Sequence, residues 1–152
     1  MVEEGKPAPD FELVSDQGTT VRLSDLRGKP VVLYFYPKDD TPGCTVESCE
    51  FRDAYDVFRD RGAEILGVSP DGEKSHQKFK SKYGLPFPLL ADPEHVAAEA
   101  YGVWVEKKMM GKTYMGIDRS TFLIDSDGNV AKAMRGIKPA GHASEVLDAL
   151  PA

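Results

Sequence analysis

The chain has 152 residues, 41% hydrophobic and 29% charged, with a formal net charge of −6. That describes one soluble globular domain with enough apolar material for a core, and it argues against duplex nucleic acid or an anionic membrane as the main partner, since both attract a positive surface. The longest apolar run, residues 31–36, is far too short to span a bilayer, and the N-terminus lacks the basic-then-apolar pattern of an export signal, so a cytoplasmic protein is expected.

Residues 5–10 are too proline-rich for regular structure and predict an extended arm. Alternation at residues 11–14 and 20–23, around the turn Asp16-Gln17-Gly18, predicts a short N-terminal β-hairpin. Residues 31–36, Val-Val-Leu-Tyr-Phe-Tyr, form a continuous β-branched and aromatic run, the pattern of a strand buried on both faces. A helix is predicted over 42–61 with Gly62 as its stop, then a strand over 64–68, a helix over 71–83 closed by Gly84 and a short strand over 88–90. Pro93 marks the start of a helix reaching residue 101, and Trp104 reads as a packing residue in the loop that follows. Strands over 120–124 and 130–134 flank the hairpin signal Asp125-Ser126-Asp127-Gly128-Asn129, and a closing helix runs over 142–150. Strand–helix alternation followed by an antiparallel pair implies an α/β, thioredoxin-like three-layer sandwich: a central mixed sheet, flanking helices and the N-terminal hairpin. No repeat or linker divides the chain, so a single domain over 1–152 is expected.

The two cysteines, Cys44 and Cys49, are too few for a disulfide scaffold. A close cysteine pair in a cytosolic protein points to redox or metal chemistry. Cys44 follows Thr41-Pro42-Gly43 directly after the buried strand. Thr41 is placed as the N-cap and Pro42 at the first helical position, so Cys44 falls in the first turn, among backbone N–H groups without helical partners. Their partial positive charge favours the thiolate, the nucleophilic and peroxide-sensitive form of cysteine.

On a helical wheel Phe51 and Tyr55 lie within about 20° of Cys44, whereas Cys49 lies about 140° away, beside Asp53, Asp56 and Asp60. The two Cα atoms would be about 8.6 Å apart in an intact helix, beyond the roughly 7 Å limit for a disulfide. If these cysteines bond, the first turns must unwind, which Pro42 and Gly43 facilitate. A thioredoxin-type exchange enzyme uses Cys-x-x-Cys, in which the sulfurs meet without refolding. The Cys-x-x-x-x-Cys spacing suits a two-step cycle in which one sulfur meets an oxidant and the other resolves the sulfenic acid. A zinc pair is the rival reading, weakened by the spacing and by the lack of histidine close by in sequence.

The segment Pro37-Lys38-Asp39-Asp40-Thr41-Pro42-Gly43-Cys44-Thr45-Val46-Glu47-Ser48-Cys49 resembles the active-site segment of peroxiredoxins, in particular the peroxiredoxin Q or bacterioferritin comigratory protein group. The resemblance extends through Ala8-Pro9-Asp10-Phe11, residues 84–92, Tyr101-Gly102-Val103 and residues 119–125. It implies that Cys44 is the peroxidatic cysteine and Cys49 the resolving one. Thr41 would hydrogen-bond the thiolate and the peroxide, and Pro37 would shield the pocket from water. Arg119 would place positive charge beside Cys44 and the O–O bond; by itself it reads as a surface arginine at a strand entrance. Glu47 would hold Arg119, or simply be an acid favoured in the first turns of a helix. Departures from the group's pattern are small: Ser48 stands where alanine is frequent, Met110 where an aromatic is common, and Asp118 would weaken the field of Arg119 if its carboxylate turned inward.

The resemblance thus implies a thiol-dependent peroxidase of the atypical two-cysteine kind, acting on hydrogen peroxide and organic hydroperoxides. It implies no cofactor and no metal, restoration by thioredoxin or a similar dithiol, and a monomer or weak dimer. Two alternatives stand beside it. A general thiol–disulfide oxidoreductase is disfavoured by the cysteine spacing and by Arg119-Ser120-Thr121-Phe122, where thioredoxins place a proline before the strand facing their active site. A redox-regulated holdase on the same scaffold would keep chaperone activity in a Cys44→Ser variant. Of the histidines, His76 shares a helical face with Phe79 and Tyr83 and reads as a packed or capping residue. Asp125-Ser126-Asp127-Gly128 matches the start of a calcium loop, but Gly136 occupies the twelfth position where a glutamate is required.

Overall fold

The computed structural model describes residues 2–150. Its centre is β3 (Val31–Phe35), buried at every position, and the parity of a strand sends its side chains alternately to two cores. Val31, Leu33 and Phe35 enter one cluster, with Phe11, Tyr101 and Phe122. Val32, Tyr34 and Tyr36 enter the other, with Phe51, Phe58 and Phe79. A strand that serves two cores must be apolar throughout, which is why no alternation is visible in residues 31–36.

Seven strands form the main sheet in the order β2-β1-β5-β4-β3-β8-β9. The elements are β1 (Glu12–Ser15), β2 (Thr20–Arg22), β4 (Glu64–Ser69), β5 (Leu89–Ala91), β8 (Ser120–Ile124) and β9 (Val130–Met134) around β3. β3, β4 and β5 run parallel; β8 pairs antiparallel with β3, and β1 antiparallel with β5. The N-terminal hairpin is therefore an edge of the main sheet. The helices α1 (Pro42–Asp53), α2 (Tyr55–Asp60), α3 (Glu73–Tyr83) and α5 (His142–Ala149) supply the core on the Tyr34 side. The short α4 (Val96–Ala100) and the N-terminal residues cover the other side. The mixed sheet between two helix-bearing layers is the thioredoxin-like sandwich expected from the element order.

Several boundaries differ from the expectation, each for a local reason. The helix predicted over 42–61 is interrupted at Ala54, where the backbone relaxes to φ −95°, ψ 0° and the N–H of Val57 reaches back only three residues to the Ala54 carbonyl. α3 begins at Glu73 instead of residue 71, because the Asp71 carboxylate accepts the Asp39 N–H and the Ser69 hydroxyl and is not spent on the helix end. α4 begins at Val96 rather than at Pro93: Asp92 accepts the N–H groups of Ala97 and Ala98, and His95 turns left-handed at φ 61°.

The largest departure follows Tyr101. Trp104 opens a strand, β6 (Trp104–Met109), which pairs with β7 (Lys112–Ile117) as a separate two-stranded ribbon. Its turn, Met110-Gly111, has φ 52° and 80°. Two successive positive φ angles define the tight hairpin turn usually signalled by Asn-Gly, and methionine at the first of these positions hides it. Trp104 still packs, its ring stacked on His95 with centroids 3.6 Å apart. Among the described residues no helix is long and apolar enough to cross a membrane.

Candidate active site

β3 delivers the chain to the edge of the sheet, and residues 37–41 turn it into α1. Thr41 occupies the N-cap position with extended backbone (φ −95°, ψ 155°) and Pro42 follows at the helix start. Cys44 lies in the first turn and is 1% exposed. Arg119, immediately before β8, reaches it from across the sheet: β8 lies beside β3 with Ser120 opposite Phe35, which puts the start of β8 next to the end of β3. The guanidinium Nη2 donates to Cys44 Sγ at 3.2 Å, and Nη1 donates to Glu47 Oε1 at 2.7 Å. Glu47 is one turn beyond Cys44 on the same helix face, and its other oxygen, Oε2, is buried without a hydrogen-bond partner.

Gly43 makes that approach possible, since a β-carbon there would stand 3.2 Å from Arg119 Nη2 and 3.2 Å from Pro139 Cγ. Burial pushes the Glu47 carboxyl up from 4.5 to about 7 despite the adjacent guanidinium. Burial opposes the charge of Arg119, but the Glu47 and Cys44 anions outweigh it and hold the guanidinium above its ordinary value. A buried thiol in a helix's first turn, with a fixed cation donating to its sulfur, is arranged to act as a nucleophilic anion.

Residues 4–133 match the AhpC/TSA family. Peroxiredoxin Bcp of Bacillus subtilis is 56% identical over 149 residues, 98% of this chain and 95% of that one. Peroxiredoxin Bcp of Escherichia coli is 43% identical over 147 residues, covering 97% and 94%. The solved bacterioferritin comigratory protein of Xanthomonas campestris is 43% identical, with a TM-score of 0.91 over 97% of this chain and 96% of that one. The chain belongs to the AhpC/TSA family of peroxiredoxins.

The peroxiredoxin is a thiol-dependent peroxidase, and its two thiols, Cys44 and Cys49, are both free and both within α1. Cys49 is half-buried, and burial raises its thiol above the ordinary range, with Arg52 only partly offsetting this. Cys44, Arg119 and Glu47 are therefore brought together, and Cys49 is held apart on the helix. Pro37 is half-buried in the turn before α1. Thr41 caps by position alone: its hydroxyl makes no cap bond and donates to the Lys38 carbonyl at 3.0 Å. The Arg119 guanidinium donates to Cys44 and Glu47 and not to Asp118.

Two features of the peroxiredoxin gave no signal in the sequence. Ser48, fully buried, shares a 2.9 Å hydrogen bond with the Tyr34 hydroxyl of β3. Asp39, inside the 37–41 turn, accepts from Tyr36 and Ser75 and shares a 2.7 Å hydrogen bond with His76 Nδ1. Ser48 and Tyr34 are 14 residues apart, and Asp39 is 36 and 37 residues from Ser75 and His76, so no local pattern announces these contacts. Among the described residues no three His, Cys, Asp or Glu side chains gather to hold a metal ion.

Proposed function

We propose that Cys44 is the peroxidatic residue and Cys49 the resolving one. The contact that carries this is Arg119 Nη2 donating to the buried sulfur of Cys44 at 3.2 Å, at the start of a helix that also bears the second thiol. The Cys44 thiolate attacks the nearer peroxide oxygen, the O–O bond breaks, and the departing oxygen takes a proton to leave as water or alcohol. Cys44 is then a sulfenic acid. Arg119 stabilises the thiolate and the negative charge that develops on the leaving oxygen. The Thr41 hydroxyl, donating to Lys38, retains lone pairs that accept from a peroxide O–H, and Pro37 screens the sulfur from water.

Resolution follows when Cys49 attacks the Cys44 sulfur, a disulfide forms and water leaves. An intact helix holds the two Cα atoms about 8.6 Å apart, so the first turns of α1 unwind in this step. A thioredoxin-type dithiol then restores both thiols by exchange. Hydrogen peroxide and organic hydroperoxides are the substrates. The solved Xanthomonas campestris protein is described for its alkyl peroxide reduction activity, which supports the organic class. Because both sulfurs belong to one chain, a monomer or weak dimer suffices, and the free thiols suit the cytoplasm.

The test is intact mass of the reduced protein, quenched quickly after equimolar hydrogen peroxide, with Cys49→Ser alongside. The wild type should lose two hydrogens, and the variant should gain one oxygen. Unchanged masses would overturn the assignment of Cys44.

A further inference from the structure

The turn carrying Pro37 and Thr41 is gripped by α3 at both of that helix's ends. At the far end, Asp40 accepts from Lys82 Nζ at 2.8 Å and from the Tyr83 hydroxyl at 2.6 Å. Asp40 is held at φ 55°, a left-handed conformation uncommon outside glycine and one that aspartate adopts more readily than most residues. At the near end the grip is buried. Asp39 Oδ2 accepts from Ser75 Oγ at 2.8 Å and lies 2.7 Å from His76 Nδ1, while Oδ1 accepts from the Tyr36 hydroxyl at 2.5 Å. The Asp39 N–H donates to Asp71 at 2.6 Å. His76 Nε2 lies 2.9 Å from the Leu90 carbonyl oxygen of β5. The side chains of His76 and Asp39 are 0% and 3% exposed.

The donor inventory leaves no polar atom of this pair without a partner: Nε2 donates to the Leu90 carbonyl, one proton lies between Nδ1 and Asp39 Oδ2, and the remaining carboxyl positions take the Tyr36 and Ser75 hydroxyls. The charged and polar groups facing the ring are Asp39 and Ser75, with Tyr36, the residue just after β3, at 6.4 Å between centroids. Lys80, one turn along α3, is paired with Asp16 at 3.0 Å.

We propose that Asp39 and His76 form a buried hydrogen-bonded pair that positions the 37–41 turn against Cys44, which makes His76 a positioning residue for peroxide reduction. This rests on the reading of Cys44 as the oxidised thiol. A buried polar pair is a poor way to gain stability, since a well-packed apolar pair does as well or better. A fully satisfied buried network does, however, fix one geometry. Asp39 stands two residues after Pro37 and two before Thr41, so fixing it leaves the two pocket residues little freedom. Reaction rates are steep in such placement: a displacement of about 1 Å can cost about a hundredfold.

The experiment separates the two half-reactions by rapid-quench mass analysis. His76→Asn, which retains a donor toward Asp39 but cannot also reach Leu90, and Asp39→Asn should each slow oxidation of Cys44 by hydrogen peroxide by about tenfold or more. Reduction of the preformed disulfide by dithiothreitol, in which the start of α1 is already unwound, should stay within about twofold of wild type, because loop placement no longer governs it. Oxidation within about twofold of wild type in both variants, or both half-reactions slowed alike, would overturn the proposal. Should neither variant fold by circular dichroism, Ser75→Ala decides: oxidation slowed by about twofold or more supports the clamp, and a smaller effect overturns it. A wild-type protein that fails to be oxidised at Cys44 would overturn the underlying assignment. Normal wild-type oxidation with unaffected variants would overturn the clamp alone.

Discussion

One guanidinium serves two groups in this site, Cys44 Sγ at 3.2 Å and Glu47 Oε1 at 2.7 Å, and its planar fork is what allows both contacts at once. A lysine keeps the charge but offers a single point donor. Arg119→Lys should therefore slow Cys44 oxidation by about a hundredfold, the usual consequence of losing a donor aimed at developing oxygen charge. Stopped-flow kinetics with hydrogen peroxide would check this, and a variant within a few-fold of wild type would remove Arg119 from the chemistry. Glu47 tunes the same charge. With its carboxyl at about 7, it is largely neutral in mildly acid solution, where the cation is left to Cys44, and ionised above. The sequence showed these residues unequally. Cys44 is legible from physics alone, because strand, Thr41, Pro42 and helix put it in a first turn. Arg119 is legible only through the family resemblance, since its partner Glu47 is 72 residues away, and Glu47 by itself is indistinguishable from any acid favoured near a helix N-terminus.

α1 must be stable enough to present Cys44 and weak enough to release it. The Ser48–Tyr34 hydrogen bond ties the middle of this helix to β3 at 2.9 Å. Ser48 adjoins Cys49, so any movement that swings Cys49 toward Cys44 breaks that bond. Ser48→Ala removes the tie and leaves the Tyr34 hydroxyl buried without a partner until the helix opens, a penalty of about 1–3 kcal/mol. Conversion of sulfenic acid to disulfide should accelerate by about fivefold or more, with less sulfinic acid formed at excess peroxide because the sulfenic acid is shorter-lived. Rapid-quench mass analysis would read both, and an unchanged resolution rate would show that helix opening is not held by this bond. Tyr34 explains Gly67 as well: a β-carbon on this β4 residue would stand 2.8 Å from the Tyr34 ring and hydroxyl. Gly67→Ala should destabilise the fold by about 1–3 kcal/mol through overpacking, measurable by urea denaturation. At this scale apolar patterning served well wherever an element faces a core. It failed for β6 and β7, an exposed ribbon with little burial pattern turning at Met110-Gly111, and for two helix starts: at Glu73, where Asp71 is claimed by the distant Asp39 N–H, and at Val96, where Asp92 reaches the N–H groups of Ala97 and Ala98 past a left-handed His95.

Across the whole molecule, the layered α/β architecture followed from element order, but the strand order did not: β1 lies beside β5, 73 residues separating Asp16 from the Leu89 N–H it accepts, a pairing set by edges that need covering. The same sheet places two titratable groups of opposite sign under one layer of helices. His142, at the start of α5, shares a 2.7 Å hydrogen bond with Thr121 of β8 while its Nδ1 is buried without a partner. Burial lowers this histidine to about 4, with Glu145 only partly opposing. Its contribution to stability is therefore present above its ordinary value of 6.5 and is lost as pH falls toward 4. Glu47 works in the opposite sense. Its folded-state value is raised from 4.5 to about 7, so its contribution is greatest below 4.5 and is lost as pH rises through 7, by roughly 3 kcal/mol over the full interval. Between those limits the two slopes oppose one another, and the wild type should show little net change from this pair. Glu47→Gln removes one of them and keeps an amide oxygen for Arg119. Its urea midpoint should then climb as pH rises toward 6.5, and its advantage over wild type should grow up to pH 7. Asp10, Asp16 and Asp40, all held below their ordinary value of 3.8, contribute equally to both proteins and cancel in that difference. Denaturation curves that run parallel from pH 4.5 to 7.5 would mean that Glu47 is ionised throughout, with its full charge drawn onto Arg119 at every pH at which the enzyme works.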